Sequence, residues 1–138
     1  MIGVLVITHG NLGSELIRAA ELIKGSLDAT LHISVDAAKG VEDLRKEITT
    51  AIRKVDAGMG VLILTDLFGG TPSNVSLAFL KEGKIEVITG ANLPMLLKIP
   101  ELRQTEKDLA NFAVQIRDYG KKNIYLASEV LKKKVGDN

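Results

Sequence analysis

The strongest constraint on the fold is the alternation of short apolar runs with longer segments of helical spacing. Residues 2–7 (IGVLVI) and 61–64 (VLIL) are rich in β-branched side chains and short enough to be strands buried on both faces. Apolar residues recur at three- and four-residue steps over 12–23 and 41–55, which is the period of an amphipathic helix. Repeated strand–helix units with short connections predict an α/β fold with a doubly wound parallel sheet.

Weaker patterns complete this prediction with further strands and helices. Residues 31–35 alternate apolar and polar side chains, which is typical of a half-covered edge strand. The other patterns predict a helix over 71–80, a strand over 85–88 and a helix over 106–119. Pro100 is expected to interrupt the apolar segment that ends at Ile99, because proline removes a helical hydrogen bond. The last candidate strand is 123–126.

Length and composition predict a single domain over residues 1–138, with 1–126 as its core and 127–138 as a C-terminal tail. A chain of 138 residues with 46% hydrophobic side chains can bury one ordinary core. The lysine run at 132–134 is expected to be part of a solvated tail. Eighteen basic and seventeen acidic residues give a formal net charge of +1, so no global field attracts nucleic acid or an anionic membrane.

The chain contains no cysteine and two histidines. The absence of cysteine excludes disulfides and thiolate chemistry and suits a reducing compartment. Because two histidines supply few metal ligands, we expect no metal and no cofactor. His32 lies on the polar side of the predicted edge strand, where we expect a structural or solvent-facing role. The apolar stretches are too short to span a bilayer and no secretory signal is present, so a cytoplasmic protein is expected.

Two side chains suited to chemistry directly follow predicted strands. His9 comes after the first strand and Asp66 after the third. In the common flavodoxin-like order these strands are neighbours at the switch point, where ligands gather outside the carboxyl ends of the strands. A neutral imidazole is a nucleophile toward phosphorus if its other nitrogen is held as a donor, and a carboxylate can fix that tautomer. The pairing resembles the orienting half of a catalytic triad.

A glycine-rich turn follows the third predicted strand and leads into a helix. Gly69 and Gly70 permit close backbone approach, and Thr71 supplies a hydroxyl near the helix start. These residues suit an anion site, but Thr71 or Ser73 equally suits an ordinary helix cap. His9 taken alone is likewise consistent with a histidine that merely hydrogen-bonds a turn.

Three sequence blocks together resemble a known family. They are IGVLVITHGNLGSELIRAAELIKG at the N-terminus, GVLILTDLFGGTPSNVSLAF in the middle and VITGANLPML later in the chain. In this order they resemble the mannose-type IIA domains of the phosphoenolpyruvate-dependent sugar phosphotransferase system. A strand ending in THG, a D-x-[FW]-GG-[ST]-P-x-N turn and a G-x-N-x-P-M-L turn are jointly specific, and the likeness covers nearly the whole chain.

The resemblance implies a fold, a phosphorylated residue and a binding surface. The implied fold is a four-stranded parallel sheet in which 123–126 is a C-terminal strand exchanged between the two subunits of a homodimer. His9 would be phosphorylated on Nε2, with Asp66 as its partner. The implied phosphoryl-binding residues are Gly69, Gly70 and Thr71. The candidates for partner docking are Phe68, Asn92, Pro94 and Met95.

The function implied by the resemblance is that of a phosphoryl carrier for sugar uptake. The donor would be the histidine-containing carrier HPr. The acceptor would be a separate IIB protein, because many relatives are fused to a IIB domain and this chain is not. Contact with a membrane would be indirect, through a transporter complex. Two related functions stay open: a regulatory phosphocarrier that controls a partner protein without sugar transport, and the phosphoryl donor subunit of a dihydroxyacetone kinase.

Two other classes of protein fit the sequence less well. Small tetrapyrrole metal chelatases also place a strand–HG turn in an α/β sheet, but they need another ligand near His9, and His32 is predicted to lie in mid-strand. A flavodoxin-like cofactor binder needs a hydroxyl-rich first loop, and THGNLGS has little of that character. A nucleoside triphosphate donor is not expected, because the GxxxxGK[ST] phosphate loop is absent.

Overall fold

Strands and helices alternate over residues 3–105, and two further helices follow, in a computed structural model that describes residues 1–136. The strands are β1 (Gly3–His9), β2 (Thr30–Val35), β3 (Val61–Thr65) and β4 (Ile85–Thr89). The helices are α1 (Leu12–Lys24), α2 (Val41–Val55), α3 (Thr71–Leu77), α4 (Leu93–Thr105), α5 (Leu109–Lys122) and α6 (Ala127–Gly136). In this part of the chain, no helix has the length and apolar character needed to cross a membrane.

The four strands form one parallel sheet in the order β2-β1-β3-β4. This is the predicted doubly wound arrangement, with the strand order reversing between β1 and β3. Ile7 of β1 pairs with Thr65 of β3, and His9 pairs with Val35 of β2. The residues that follow β1 and β3 therefore leave the sheet side by side at its carboxyl edge.

The sheet lies between two apolar layers, which explains the continuous hydrophobic runs of its central strands. Val4 and Val6 contact the layer formed by α1, α4 and α5. Leu5 and Ile7 contact the opposite layer, which α2 and α3 provide. From Gly3 to Thr8 every residue of β1 is buried, whereas His9 is exposed. The strand thus delivers the histidine to the surface at the edge of the core.

The segment that Pro100 was expected to interrupt is a continuous helix, so that prediction is wrong. Pro100 lies inside α4, where the carbonyl of Leu96 loses its usual amide donor. The helix begins at a strong cap, because the side chain of Asn92 accepts a hydrogen bond from the Met95 amide at 3.2 Å. Burial of Leu96 and Ile99, both 0% exposed, stabilises the helix before the proline, and burial of Leu102, 6% exposed, stabilises it after the proline.

Two predicted helices have different ends in the structure. The helix predicted over 71–80 ends at Leu77, and i to i−3 hydrogen bonds continue from there, including Leu80 N to Leu77 O at 3.2 Å. The helix predicted over 106–119 is α5, which begins and ends three residues later. Asp108 sets its start, because the side chain accepts a hydrogen bond from the Asn111 amide at 3.0 Å.

The C-terminal part of the chain differs most from the prediction. The predicted strand over 123–126 is not formed, because no strand in the described part of the chain pairs with this segment. Ile124, Tyr125 and Leu126 are instead exposed. The predicted tail is helical from Ala127 to Gly136, and the lysines at 132–134 lie within α6.

A buried arginine on α4 forms hydrogen bonds with the backbone at the amino-terminal edge of the sheet. Arg103 is 5% exposed, and its guanidinium donates hydrogen bonds to the carbonyls of Ile2 (2.9 Å), Asp28 (2.6 Å) and Ala29 (3.0 Å). Burial lowers the pKa of Arg103 to about 10, and the nearby Asp28 carboxylate opposes that shift. The arginine joins α4 to the residues that open β1 and β2, at the opposite end of the sheet from His9.

Candidate functional site

His9 and Asp66 meet at the carboxyl edge of the sheet, as the strand pattern predicted. The ring nitrogen Nδ1 of His9 lies 2.8 Å from Oδ2 of Asp66, although the residues are 57 positions apart in the chain. The backbone amide of His9 also donates a hydrogen bond to Oδ2 at 3.1 Å. One carboxylate oxygen therefore holds both the main chain and the ring of the histidine.

The two side chains differ in exposure, and this gives them different chemical roles. The Asp66 side chain is 9% exposed, while that of His9 is 50% exposed. Burial by itself raises the pKa of Asp66, but hydrogen bonds from the His9 ring, the His9 amide and its own backbone together lower it below the usual value. Asp66 is therefore a carboxylate at neutral pH and a fixed acceptor.

The ionised carboxylate determines the tautomer of the neutral His9 ring. Asp66 can only accept a hydrogen bond, so Nδ1 of His9 carries the proton. The lone pair is then on Nε2, on the half-exposed ring. This arrangement gives the site a nucleophilic nitrogen that can be reached from solvent.

Thr8 fixes the turn that follows His9, a role that the sequence reasoning missed. Its buried hydroxyl accepts a hydrogen bond from the amide of Gly13 at 2.7 Å. Asn11, at the start of α1, makes no side-chain cap, so Thr8 supplies the cap from the preceding strand. The sequence feature that could have indicated this role is a threonine within an otherwise apolar strand, one residue before the histidine.

The glycine turn lies beside the histidine ring. Gly69 has φ +92°, and its carbonyl accepts a hydrogen bond from the Asn74 side chain at 3.3 Å. Gly70 immediately precedes α3, and a Cβ built on it would lie 2.8 Å from Cε1 of His9. Thr71, the first residue of the helix, is exposed. Of the three predicted phosphoryl-binding residues, Gly70 is thus the one that the structure places next to the His9 ring.

The alternative prediction of an ordinary helix cap in this turn is wrong. Neither Thr71 nor Ser73 provides a side-chain cap hydrogen bond to α3. The hydroxyl of Ser73 is fully buried and makes no hydrogen bond in the described part of the chain. The first helical bond runs from the Asn74 amide to the Gly70 carbonyl, at 2.9 Å.

The predicted docking residues divide into exposed and structural side chains. Phe68 is 74% exposed, and Pro94 is half-buried. Met95 is 4% exposed and packs against Gly120, so its assignment to a docking surface is wrong. The side chain of Asn92 donates to the Gly120 carbonyl at 3.0 Å, besides capping α4. Asn92 therefore joins α4 to α5.

Two exposed apolar residues near the site were not predicted. Leu12, three positions after His9, is 47% exposed, and Leu67, directly after Asp66, is 50% exposed. Large apolar side chains in the loops that carry site residues were the signal that could have identified them. Together with Phe68, which is 74% exposed, they are apolar side chains within three residues of His9 or Asp66, and we call this set the Leu12–Leu67–Phe68 rim.

His32 is exposed on the edge strand, as expected. It pairs in register with Val6, three residues before His9. His32 therefore lies within β2 rather than at the carboxyl edge that carries His9. The second ligand that a chelatase site would require is not supplied by this residue.

Comparison with known proteins identifies the family of this chain. Residues 3–115 match the family model EIIA-man, described as the PTS system fructose IIA component, and the chain belongs to this family. The chain is 29% identical over 136 residues to the fructose-specific EIIA component of Bacillus subtilis (strain 168), covering 96% of this chain and 91% of that protein. PTS denotes the sugar phosphotransferase system.

Two further proteins are similar to the chain. The mannose-specific EIIAB component of Escherichia coli (strain K12) is 31% identical over 98 residues, which are 70% of this chain but only 30% of that longer protein. The crystal structure of the phosphotransferase system component EIIA from Streptococcus agalactiae superposes with a TM-score of 0.83 at 30% identity, covering 94% of this chain and 99% of that one. Membership of this family implies phosphoryl transfer in sugar uptake.

Proposed function

We propose that this protein carries a phosphoryl group on Nε2 of His9, receiving it from phospho-HPr and passing it to a IIB component in the cytoplasm. The observation that carries the proposal is the 2.8 Å contact between Nδ1 of His9 and the buried Asp66 carboxylate, which leaves the half-exposed Nε2 unprotonated. Incubation with phospho-HPr and measurement of the intact mass test it. An acid-labile phosphoryl adduct is expected.

The transfer exchanges one nitrogen–phosphorus bond for another. The lone pair of His9 Nε2 forms the new bond as the donor's nitrogen–phosphorus bond breaks, and the electron pair of that bond returns to the donor nitrogen. The His9 ring keeps its proton on Nδ1, so the phosphorylated ring gains positive charge. Asp66, ionised and 2.8 Å away, stabilises that charge. The same steps in reverse deliver the phosphoryl group to the IIB component.

The glycine turn is proposed to surround the transferred group. Gly70 adjoins the Cε1–Nε2 edge of the ring, and the exposed Thr71 follows it directly in the chain. The amides near Gly69 and Gly70 and the hydroxyl of Thr71 are donors suited to phosphoryl oxygens. Phosphoryl transfer depends mainly on positioning and on charge stabilisation, and donors of this kind supply both.

The Leu12–Leu67–Phe68 rim is proposed as the part of the surface on which both protein partners dock, with Pro94 beside α4 as a further contact. Its members are about half or more exposed and lie within three residues of His9 or Asp66. Apolar side chains, aromatic ones above all, dominate the centre of protein interfaces. A partner bound there would bring its own phosphorylated side chain close to Nε2.

Loss of the Asp66 charge should slow phosphorylation without unfolding the protein. In Asp66→Asn the side chain keeps its shape but no longer fixes the proton on Nδ1. We expect the rate of phosphoryl acceptance from phospho-HPr to fall on the order of 10²-fold or more. Asp118→Asn, which changes an exposed aspartate on α5, is the control and should be unaffected. Equal rates for both variants would contradict the role given to Asp66.

The lowered pKa of Asp66 also predicts a pH dependence of stability. A carboxyl group whose pKa is lower in the folded protein contributes stability above its unfolded pKa, about 4, and this contribution is lost as the pH falls through the folded pKa. When the pH is lowered from about 6 to about 3, the free energy of unfolding should therefore decrease less in Asp66→Asn than in the wild type. Urea titrations at both pH values measure this difference.

A homodimer with exchanged C-terminal segments is also proposed. Ile124, Tyr125 and Leu126 are exposed in the single chain, and Val130 and Leu131 continue this apolar surface along α6. A shallow groove lies between β4 and α5, lined by residues that include Val87, Ala113 and Val114. The outer edge of β4 has no strand partner within the described residues. An added strand from a second subunit would satisfy the backbone groups of that edge.

The dimer is tested by sedimentation of the wild type and two leucine variants. Leu126→Asp places a charge in the proposed exchanged segment, and we expect it to shift the protein to monomers. Leu22→Asp changes a leucine on α1 that is even more exposed, and the dimer should persist. A stable dimer should persist at protein concentrations on the order of tens of micromolar. A wild type that sediments as a monomer in that range would contradict the proposal.

A further inference from the structure

The ring of His9 lies beside the main chain of Gly70, close enough that a Cβ on Gly70 would conflict with the ring. We propose that Gly70 is a positioning residue, whose bare Cα keeps the His9 ring against Asp66 with Nε2 facing outward. This inference rests on the proposed function for its importance in phosphoryl transfer. The position of the ring itself can be tested without any transfer.

The distances at Gly70 leave no room for a side chain. A Cβ atom there would lie 2.8 Å from Cε1 and 3.3 Å from Nε2 of His9. Real Cβ atoms essentially never approach another heavy atom closer than 3.0 Å, so the ring or the backbone would have to shift. The next neighbour, Cδ of Pro72, is 3.7 Å away, which is an ordinary contact. Among the described residues, the histidine ring is therefore the one group that a side chain at this position would have to displace.

The backbone conformation of Gly70 does not itself require glycine. Its φ of −84° and ψ of 170° are those of an extended strand, which other residues adopt readily. Gly69 differs, because its φ of +92° is unfavourable for any side chain, yet a Cβ there would meet no atom within 4 Å. The two adjacent glycines are thus needed for different reasons: Gly69 for the turn and Gly70 for the histidine.

One loop holds the ring at both of its edges. Asp66, at the start of the loop between β3 and α3, accepts the hydrogen bond from Nδ1. Gly70, at the end of that loop, lies beside the Cε1–Nε2 edge, where a Cβ would come within 2.8 Å of Cε1. Asn74 secures this end, since its amide donates to the Gly70 carbonyl at 2.9 Å and its side chain donates to the Gly69 carbonyl. A side chain at Gly70 would push the ring away and weaken its bond to Asp66.

The same space matters more once Nε2 carries a phosphoryl group. The oxygens of that group surround Nε2, and a Cβ only 3.3 Å from Nε2 would compete with them for space. The absence of a side chain at Gly70 therefore matters in both states of His9. In the free histidine it lets the ring stay against Asp66, and in the phosphorylated histidine it leaves room for the phosphoryl oxygens.

Two alanine variants isolate this effect. Gly70→Ala adds the conflicting Cβ, whereas Gly40→Ala is the matched control. Gly40 also immediately precedes a helix, with φ −72° and ψ 156° and no side-chain cap, but a Cβ there would lie 4.0 Å from its nearest neighbour. We expect acceptance from phospho-HPr to fall about 100-fold in Gly70→Ala, as for a displaced reacting group. Gly40→Ala should keep the wild-type rate.

Nitrogen NMR of the His9 ring tests its position without a phosphoryl donor. In the wild type and in Gly40→Ala, the neutral ring should carry its proton on Nδ1. In Gly70→Ala the population should shift toward the Nε2-protonated tautomer, because the bond to Asp66 is weakened. A purely structural role for Gly70 would leave this tautomer unchanged. An unchanged tautomer together with an unchanged rate would overturn the inference.

A double-mutant cycle of stability completes the test, even if Gly70→Ala is partly unfolded. In the wild-type background, Gly70→Ala should lower the thermal unfolding midpoint more than Gly40→Ala does. In the His9→Ala background that excess should vanish, because the ring that causes it is gone. An excess that persists without the ring would contradict the inference. A wild type that receives no phosphoryl group yet shows the tautomer and stability effects would overturn the proposed function alone.

Discussion

His9→Ala should accept no phosphoryl group from phospho-HPr, whereas His32→Ala should be phosphorylated like the wild type. Removal of a covalent nucleophile typically costs on the order of 10⁶-fold in rate, which is beyond detection in an intact-mass assay. The protein should remain folded, because the His9 side chain is half-exposed and belongs to neither apolar layer. His32 is a close control, since it is the other histidine of the chain and lies exposed on β2.

Either of two results would sink the assignment of His9. One is a phosphoryl adduct of normal yield on His9→Ala. The other is an unmodified wild type in the presence of HPr shown to be phosphorylated and active on a known IIA protein. Far-ultraviolet circular dichroism of both variants ensures that a negative result reports on chemistry rather than on unfolding.

Arg103→Met should produce the largest loss of stability among the changes considered. The variant fills a similar volume but removes the guanidinium donors from the carbonyls of Ile2, Asp28 and Ala29. The Asp28 carbonyl keeps the Thr30 hydroxyl and the Ala29 carbonyl keeps the Val4 amide, whereas the carbonyl of the buried Ile2 loses this charged donor. A buried acceptor that loses its donor costs about 1–3 kcal/mol, and the other two carbonyls each lose one charged hydrogen bond, so we expect the free energy of unfolding to fall by roughly 2–4 kcal/mol. Urea titration followed by circular dichroism measures it, and folded molecules should still accept the phosphoryl group at the wild-type rate.

Arg53→Met is the matched control for this prediction. Arg53 is exposed on α2 and takes part in no ion pair in the described part of the chain, so its replacement should change stability by about 0.5 kcal/mol or less. A loss below roughly 1 kcal/mol for Arg103→Met would mean that water reaches the carbonyls and replaces the guanidinium.

The pairing of His9 with Asp66 could be predicted because it follows from simple rules. Two buried apolar runs identify neighbouring parallel strands, and residues just after such strands share one edge of the sheet. The hydrogen bond from the Gly13 amide to the Thr8 hydroxyl could not be predicted in the same way. It depends on where α1 begins relative to the strand, and that is settled by packing rather than by the local sequence.

The error at Pro100 shows how burial can outweigh a local preference. A proline inside a helix costs about 3 kcal/mol or more. Burying Leu96, Ile99 and Leu102 contributes roughly 1.5–3 kcal/mol each, which more than offsets that cost. Met95 was misassigned for a related reason: the sequence placed it in a turn near the site, but only the packing of α4 against α5 decides which way its side chain faces. A strand over 123–126 would need a neighbouring strand, which the described residues of a single chain do not supply.

The length of β1 keeps the two charged ends of the sheet electrically separate. The strand has seven residues, so the carbonyl that binds Arg103 and the ring of His9 lie roughly 20 Å apart. This is more than twice the Debye length of about 8 Å at physiological ionic strength. A solvent-exposed charge added or removed near the amino-terminal edge should therefore leave the electrostatic potential at His9 nearly unchanged. Substitutions of exposed residues at the amino-terminal end of β1 can therefore change the stability of the protein without changing the electrostatic environment of His9 at the other end.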